Sequence, residues 1–298
     1  MQQLNYQPSA VARSLRTRVT HSVGLVVSDI ELPFFATIAR GAFKRASERD
    51  YIVLLAEDIE GQEADATYPG LIAAGRIDGL VIATARKGHP LLRGAREAQH
   101  AARLPEPHGE GHESQRDPGR RARDAAGGRL PRRPRPRPRR PAAAPRAGAP
   151  APPRGTRAFQ AHARKRGLES SPARSANLLQ TGGAQAASDL LSDQPALTAI
   201  YTSSVTQAAG VLSFAWHHGI SVPEQLSVIS YADTPLAEAL VPPLTAVTMP
   251  LEELGRAGVD MLLDELEGVE PHDVVIRDDL RIVERASTAA PEDSTGLS

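Results

Sequence analysis

The chain has 298 residues, a mean hydropathy of −0.31 and equal numbers of basic and acidic side chains, 35 of each. That length holds two ordinary domains or one large α/β body. The absence of cysteine excludes a disulfide scaffold, Cys-ligated zinc and a thiol nucleophile. No apolar stretch approaches the roughly 20 residues that cross a bilayer, and no signal peptide opens the chain, so a cytoplasmic protein with no membrane partner is expected. The zero net charge conceals an asymmetry. Gly94 to Arg157 holds 16 Arg and 6 acids, while the rest of the chain is acidic by the same margin.

Pro8 stops the opening MQQLNY, and Ser9 can cap a helix starting at Ala10. Ala10, Val11, Ser14 and Leu15 fall near one helical face with Arg13, Arg16 and Arg18 beside it. Two readings stand here: a surface helix, or a segment that becomes helical only against a partner with phosphates. An isolated helix this short is marginal in water.

Val23 to Val27 (VGLVV) is a continuous apolar run, which suits a strand buried on both faces of a parallel sheet. Pro33 sits at a first helical position, and Phe35 to Arg49 recurs at helical spacing. Ile52 to Ala56 is a second strand, Ala64 to Ala74 a weaker helix, and Gly79 to Ala83 a third strand. This βαβαβ order implies right-handed crossovers and a parallel sheet.

The pattern then stops. Between Gly94 and Arg157 the only large apolar side chains are Leu104 and Leu130, and Pro131 to Arg157 holds 9 Pro and 9 Arg in 27 residues. That composition predicts disorder, with no buried strand or helix.

The rhythm resumes near Phe159. Ala184 to Leu191 reads as a helix, Leu197 to Tyr201 as a strand, and Val205 to His218 as a helix with Ala208, Leu212, Ala215 and Trp216 inward, ended by Gly219. Leu226 to Ser230 is a further strand. Leu251 to Leu266 is a strong helix, and Asp273 to Ile276 and Leu280 to Val283 are short closing strands. No catalytic arrangement occurs, so an enzyme is not expected, and neither is a cofactor. His217-His218 at a helix end reads as a cap rather than as metal ligands.

In order, LNYQPSAVARSLRT, HSVGLVVSDIELPFF, RIDGLVIA, the stretch from Phe214 to Val247, PLEELGRAGVDMLL and LRIVERAST resemble the LacI/GalR family of bacterial repressors. The resemblance covers most of residues 4–93 and 158–288. It implies a two-lobed, periplasmic-binding-protein-like α/β body with a small-molecule effector, a sugar or relative, bound between the lobes. It also implies a cytoplasmic homodimer on an operator, with a hinge helix that inserts Leu15 into the minor groove beside Ser9 and Arg13. Expected divisions are a hinge remnant at 1–20, a first lobe at 21–93 with 248–268, a disordered span at 94–157, a second lobe at 158–247 with 272–286, and a tail at 287–298. The alternative is a cytoplasmic sugar-binding protein without DNA action.

Two departures stand out. Three residues precede Leu4, too few for a helix-turn-helix head, so the resemblance implies that the groove-reading head is missing from this chain. The Arg/Pro span has the length of the family's corresponding segment but the composition of a GC-rich coding strand read out of frame. Compensating frameshifts near Arg93 and Arg157 are therefore expected, with a first lobe that lacks its sheet centre and folds poorly.

The expected effector contacts are Asp29, Phe34 and Phe35 in the first lobe and Ser204, Tyr231 and Asp233 in the second. A helix-start acid and core aromatics are the alternative for the first three. The family often has two adjacent acids where this chain has Ala232-Asp233. The family's effector-binding Arg falls in the Arg/Pro span, so no residue is assigned to it.

Overall fold

The computed structural model describes residues 19–58, 70–72, 74–83, 101–103, 154–167, 174, 176–270, 274, 276 and 280–290. The hinge residues Ser9, Arg13 and Leu15 lie outside the described residues, as does most of the Arg/Pro span. The chain divides into two compact units. The first comprises Met1–Glu31, Phe35–Gly109 and Pro250–Ile276; the second comprises Leu32–Phe34, Glu110–Met249 and Arg277–Ser298.

The first unit is built on strand β1 (Ser22–Val27), all six residues of which are buried. A run of apolar residues with no polar alternation has no face to give to water, so it takes a central place. It pairs in parallel with β2 (Ile52–Glu57) on one side and β3 (Gly79–Ala83) on the other, and β3 pairs in parallel with β4 (Ala101–Arg103). The sheet order is β2-β1-β3-β4. Val26, Ile77, Leu80 and Ile82 form a core that Leu71 and Ile72 help to close. The sheet centre is therefore present, which corrects the expectation that this lobe lacks one. Among the described residues β2 has β1 as its single neighbour and leaves Ile52 and Leu54 exposed.

Helix α1 (Pro33–Glu48) turns Phe35, Ile38, Ala39, Ala42 and Ala46 inward. Helix α6 (Leu251–Leu266) crosses it so closely that a Cβ on Gly255 would meet the Ile38 carbonyl oxygen, and one on Gly41 would meet that of Glu252. Around that crossing, Arg256 donates to both oxygens of Glu48 at 2.9 and 2.8 Å, and Arg45 donates to Asp260 at 2.6 Å. The incoming chain is fastened by Asp78. Its carboxylate accepts from the Thr20 amide and hydroxyl, both at 2.8 Å, and from the His21 amide at 2.9 Å.

The second unit carries β5 (Ala199–Thr202), β6 (Ser227–Tyr231), β7 (Thr245–Val247) and β8 (Ile282–Val283) in that order, parallel except for the last pair. Helices α3 (Gln180–Asp193) and α4 (Val205–His217) repeat the close crossing. Gly183 lies against the Gln207 carbonyl and Gly210 against that of Gln180. Val228, Leu226, Leu244, Ala208 and Val211 are among the buried core. A short helix α5 (Pro235–Ala239) follows β6.

Four expectations need correction. The span from 94 to 157 read as disordered is trimmed at both ends, by strand β4 and by helix α2 (Arg154–Lys165), which begins within it. A three-residue parallel edge needs backbone groups rather than large side chains, and Ala, Gln and Arg are good helix formers. Trp216, expected inward, is 82% exposed. It lies on the last turn of α4, where the 3.6-residue period carries it past the buried stripe of Ala208, Val211, Leu212 and Ala215. Of the strand expected at Asp273–Ile276, the two described residues, Val274 and Ile276, are irregular, and Asp273 and Val275 lie outside the described residues. The last strand is shorter than expected, since Leu280 and Arg281 precede it without strand pairing. Among the described residues no helix is long and apolar enough to cross a membrane.

Candidate functional site

Parallel strands leave a crevice beyond their carboxyl ends, because each loop there turns away into a helix. In the second unit β5 ends at Thr202 and β6 at Tyr231, and α4 and α5 begin shortly after. A pocket opens at this point. Phe34, Ser203, Ser204, Thr206, Tyr231 and Thr234 line it together with smaller apolar side chains.

Ser204 is the N-cap of α4. Its hydroxyl accepts from the Gln207 amide at 3.0 Å and donates to the Leu178 carbonyl at 2.7 Å, so it anchors the loop as well as the helix. The Gln207 side chain in turn accepts from the Ser203 amide at 3.1 Å. Ala232, next to Tyr231, has φ of 65°, the left-handed region that side chains with a Cβ adopt at a cost of about 1 kcal/mol or more. That turn directs the following residue back to the sheet: the Asp233 amide donates to the Val247 carbonyl at 2.8 Å.

The Asp233 carboxylate is held by one partner. Arg285 donates to its two oxygens at 2.9 and 3.1 Å and to the Leu244 carbonyl at 2.8 Å. The two side chains are only 18% and 17% exposed. A bidentate fork of this kind fixes both position and orientation. It ties the loop after β6 to the start of β7 and to the chain beyond β8.

Of the six expected effector contacts, the structure brings Phe34, Ser204 and Tyr231 together at the pocket. Phe35 points into the core of the first unit, with 7% of its surface exposed. The Asp29 carboxylate folds back to accept from the Glu31 amide at 2.9 Å. Asp233 is engaged by Arg285. Neither Asp29 nor Asp233 is among the lining residues. Sequence reading missed Thr206, Thr234 and Arg285. Thr234-Pro235 after a strand is an N-cap signature and was the one available signal; Arg285 is distant in sequence and gives none. His217 and His218 each set Nδ1 against the carbonyl four residues back, Ser213 at 2.7 Å and Phe214 at 2.9 Å, which is the helix-end role expected for them.

The chain matches two families in succession. Residues 20–101 match one described as periplasmic binding proteins and sugar binding domain of LacI family, and residues 142–288 match one described as periplasmic binding protein-like domain. Over 300 residues it is 27% identical to the HTH-type transcriptional repressor PurR of Salmonella arizonae, an alignment that takes in 97% of this chain and 86% of the relative. Among solved structures, the lac repressor dimer bound to operator and the anti-inducer ONPF superposes with a TM-score of 0.73 at 21% identity, covering 96% of this chain and 100% of that one. A LacI family transcriptional regulator from Enterococcus faecium with bound ribose gives 0.69 at 23% identity, over 90% of this chain and 98% of that one.

Proposed function

The chain belongs to the LacI/GalR family of regulators built on the periplasmic-binding-protein-like fold, and from that premise we propose that it is a cytoplasmic, effector-responsive regulator of transcription whose effector is a sugar or a close relative. The observation that carries the effector half of this reading is the pocket beyond β5 and β6, where aromatic and hydroxyl side chains meet. An aromatic face covers the C–H surface of a ring, and hydroxyls answer its polar rim. Phe34 and Tyr231 supply the faces, and Ser204 holds the loop that shapes one wall.

Regulation by such a site requires that the effector bind one conformation better than another, since equal affinity shifts nothing. Operator binding as a homodimer is carried over from the regulator family, and the resemblance of LNYQPSAVARSLRT to that family's hinge is what puts Ser9, Arg13 and Leu15 at the DNA. Transcript profiling of a strain deleted for the gene tests the proposal. A small set of transcripts is expected to rise, and the same set rises in the intact strain on addition of one sugar. An unchanged transcript profile refutes it.

A further inference from the structure

Helix α2 ends unlike the other helices. Arg164, Lys165 and Arg166, on and just past its last turn, are all exposed, and no side-chain partner for any of them occurs among the described residues. The cations on the outer face of the first unit behave otherwise. Arg40, Lys44, Arg45, Arg49 and Arg256 are matched by Glu252, Asp260, Glu267 and Glu48. A cation near a helix carboxyl end answers the carbonyls left unpaired there, but that role does not call for three. Helices α3 and α6 close with no base in the last turn, and α4 closes with His217 alone.

The sequence concentrates charge at the same place. No acid occurs between Asp124 and Glu169, and the 44 residues between them hold 13 Arg and Lys. The rest of the chain holds 22 Arg and Lys against 35 acids. A polyanion is therefore repelled by most of the chain and drawn to this part of it. The three cations of α2 lie beyond the Arg/Pro run, within the residues that match the periplasmic binding protein-like domain and within the second compact unit. They are a feature of the folded body.

The kind of polyanion follows from what accompanies the charge. Between Pro131 and Gly167 the one large apolar side chain is Phe159. That leaves no apolar face to enter a lipid surface and no row of aromatic rings on which single-stranded bases could stack. Charge matching to the phosphates of a duplex needs neither.

We propose that Arg164, Lys165 and Arg166 at the end of α2 form a second DNA contact, separate from the hinge, that holds the phosphate backbone of duplex DNA without regard to sequence. The choice of DNA among phosphate polymers rests on the reading of the chain as a transcription regulator. Such a contact gains its free energy by releasing counterions from the duplex, so it is strong at low salt and fades as salt rises. Three neutralised phosphates contribute about 2.7 to the slope of log K against log salt.

The test uses the full chain, the neutralised variant R164Q/K165Q/R166Q, the charge-preserving variant R164K/R166K, and R76Q/R281Q, which removes two exposed cations from other parts of the chain. Binding to a random-sequence duplex of about 30 base pairs is followed by fluorescence anisotropy from about 50 to about 200 mM salt. The parent binds the duplex, and the Gln triple variant binds at least about tenfold more weakly at the lowest salt, with a slope smaller by about 2.7. R164K/R166K and R76Q/R281Q stay within about threefold of the parent. The hinge residues Arg13, Arg16 and Arg18 are present in every variant, so the differences report on α2. A parent that does not bind, a Gln triple variant with the parent's affinity and slope, or a Lys variant that falls with it overturns the inference. So does an equal fall in R76Q/R281Q, or tighter binding to single-stranded DNA, duplex RNA or phosphatidylglycerol vesicles than to the DNA duplex. The transcript experiment judges the regulator reading separately.

Discussion

Replacing Asp233 by Asn separates two roles for this carboxylate: an effector contact, or a brace for the wall of the pocket. In the structure both of its oxygens accept from Arg285, at 2.9 and 3.1 Å, with each side chain about five-sixths buried. Asn keeps the shape but removes the charge and turns an NH2 toward a guanidinium N–H. Breaking a fully buried pair costs about 3–5 kcal/mol. The residual exposure and the surviving bond from Arg285 to the Leu244 carbonyl lower this to about 2–3 kcal/mol for D233N. At roughly 2–4 °C per kcal/mol for a body of this size, the melting temperature falls by roughly 4–12 °C. The decisive assay is a double-mutant cycle of D233A and R285A, read by thermal and urea unfolding of the ligand-free chain. A coupling of about 2 kcal/mol is expected, because either single change orphans the other partner. If D233N melts like the parent, or the two alanine changes add without coupling, the brace is refuted and the carboxylate is free to serve a ligand.

Three other outcomes concern the first unit. Arg256 first, and then Arg45, hold the Glu48 carboxyl down to about 2 from its ordinary 4.5. A depressed folded value means that this contribution to stability is present above about pH 4.5 and is lost as pH falls from there toward 2. E48Q should therefore flatten the acid limb of a melting-temperature profile over that window, and an unchanged limb contradicts the assignment. G255A drives a methyl group into the Ile38 carbonyl, where only backbone can yield, so destabilisation of about 3 kcal/mol or more is expected in urea melts; a neutral effect would mean that α1 and α6 separate readily. D78A removes three bonds that tie Thr20 and His21 to the sheet, at a cost of about 2–4 kcal/mol given their partial exposure. Hydrogen exchange should then rise at residues 20–22 first, and uniform loosening of the whole unit would argue against this local role.

Periodicity made much of this fold legible. The apolar runs VGLVV and GLVIA became fully buried neighbouring strands, and the spacing of Phe35, Ile38, Ala42 and Ala46 became the inner face of α1. Periodicity failed where side chains do not decide the structure. Strand β4 is Ala-Ala-Arg, held by the register of β3, and its own residues announce nothing. Trp216 shows the opposite error. A large apolar residue beside a helical stripe is expected inward, yet Trp216 lies off the buried stripe and faces outward. For the pocket, strand ends and aromatic residues pointed to Phe34, Ser204 and Tyr231. The Asp233–Arg285 pair spans 52 residues, and a long-range bond of this kind has no local signature.

The two units share one packing solution. Each sets a glycine of one helix against a backbone carbonyl of the next, Gly41 with Gly255 in one and Gly183 with Gly210 in the other. Such backbone-to-backbone crossings have little freedom to adjust, and they hold the helix starts in fixed positions. In the second unit the start of α4 is capped by Ser204, and the loop after β6 is clamped by Arg285 through Asp233. The walls of the pocket are thus braced from behind by groups whose hydrogen bonds are spent.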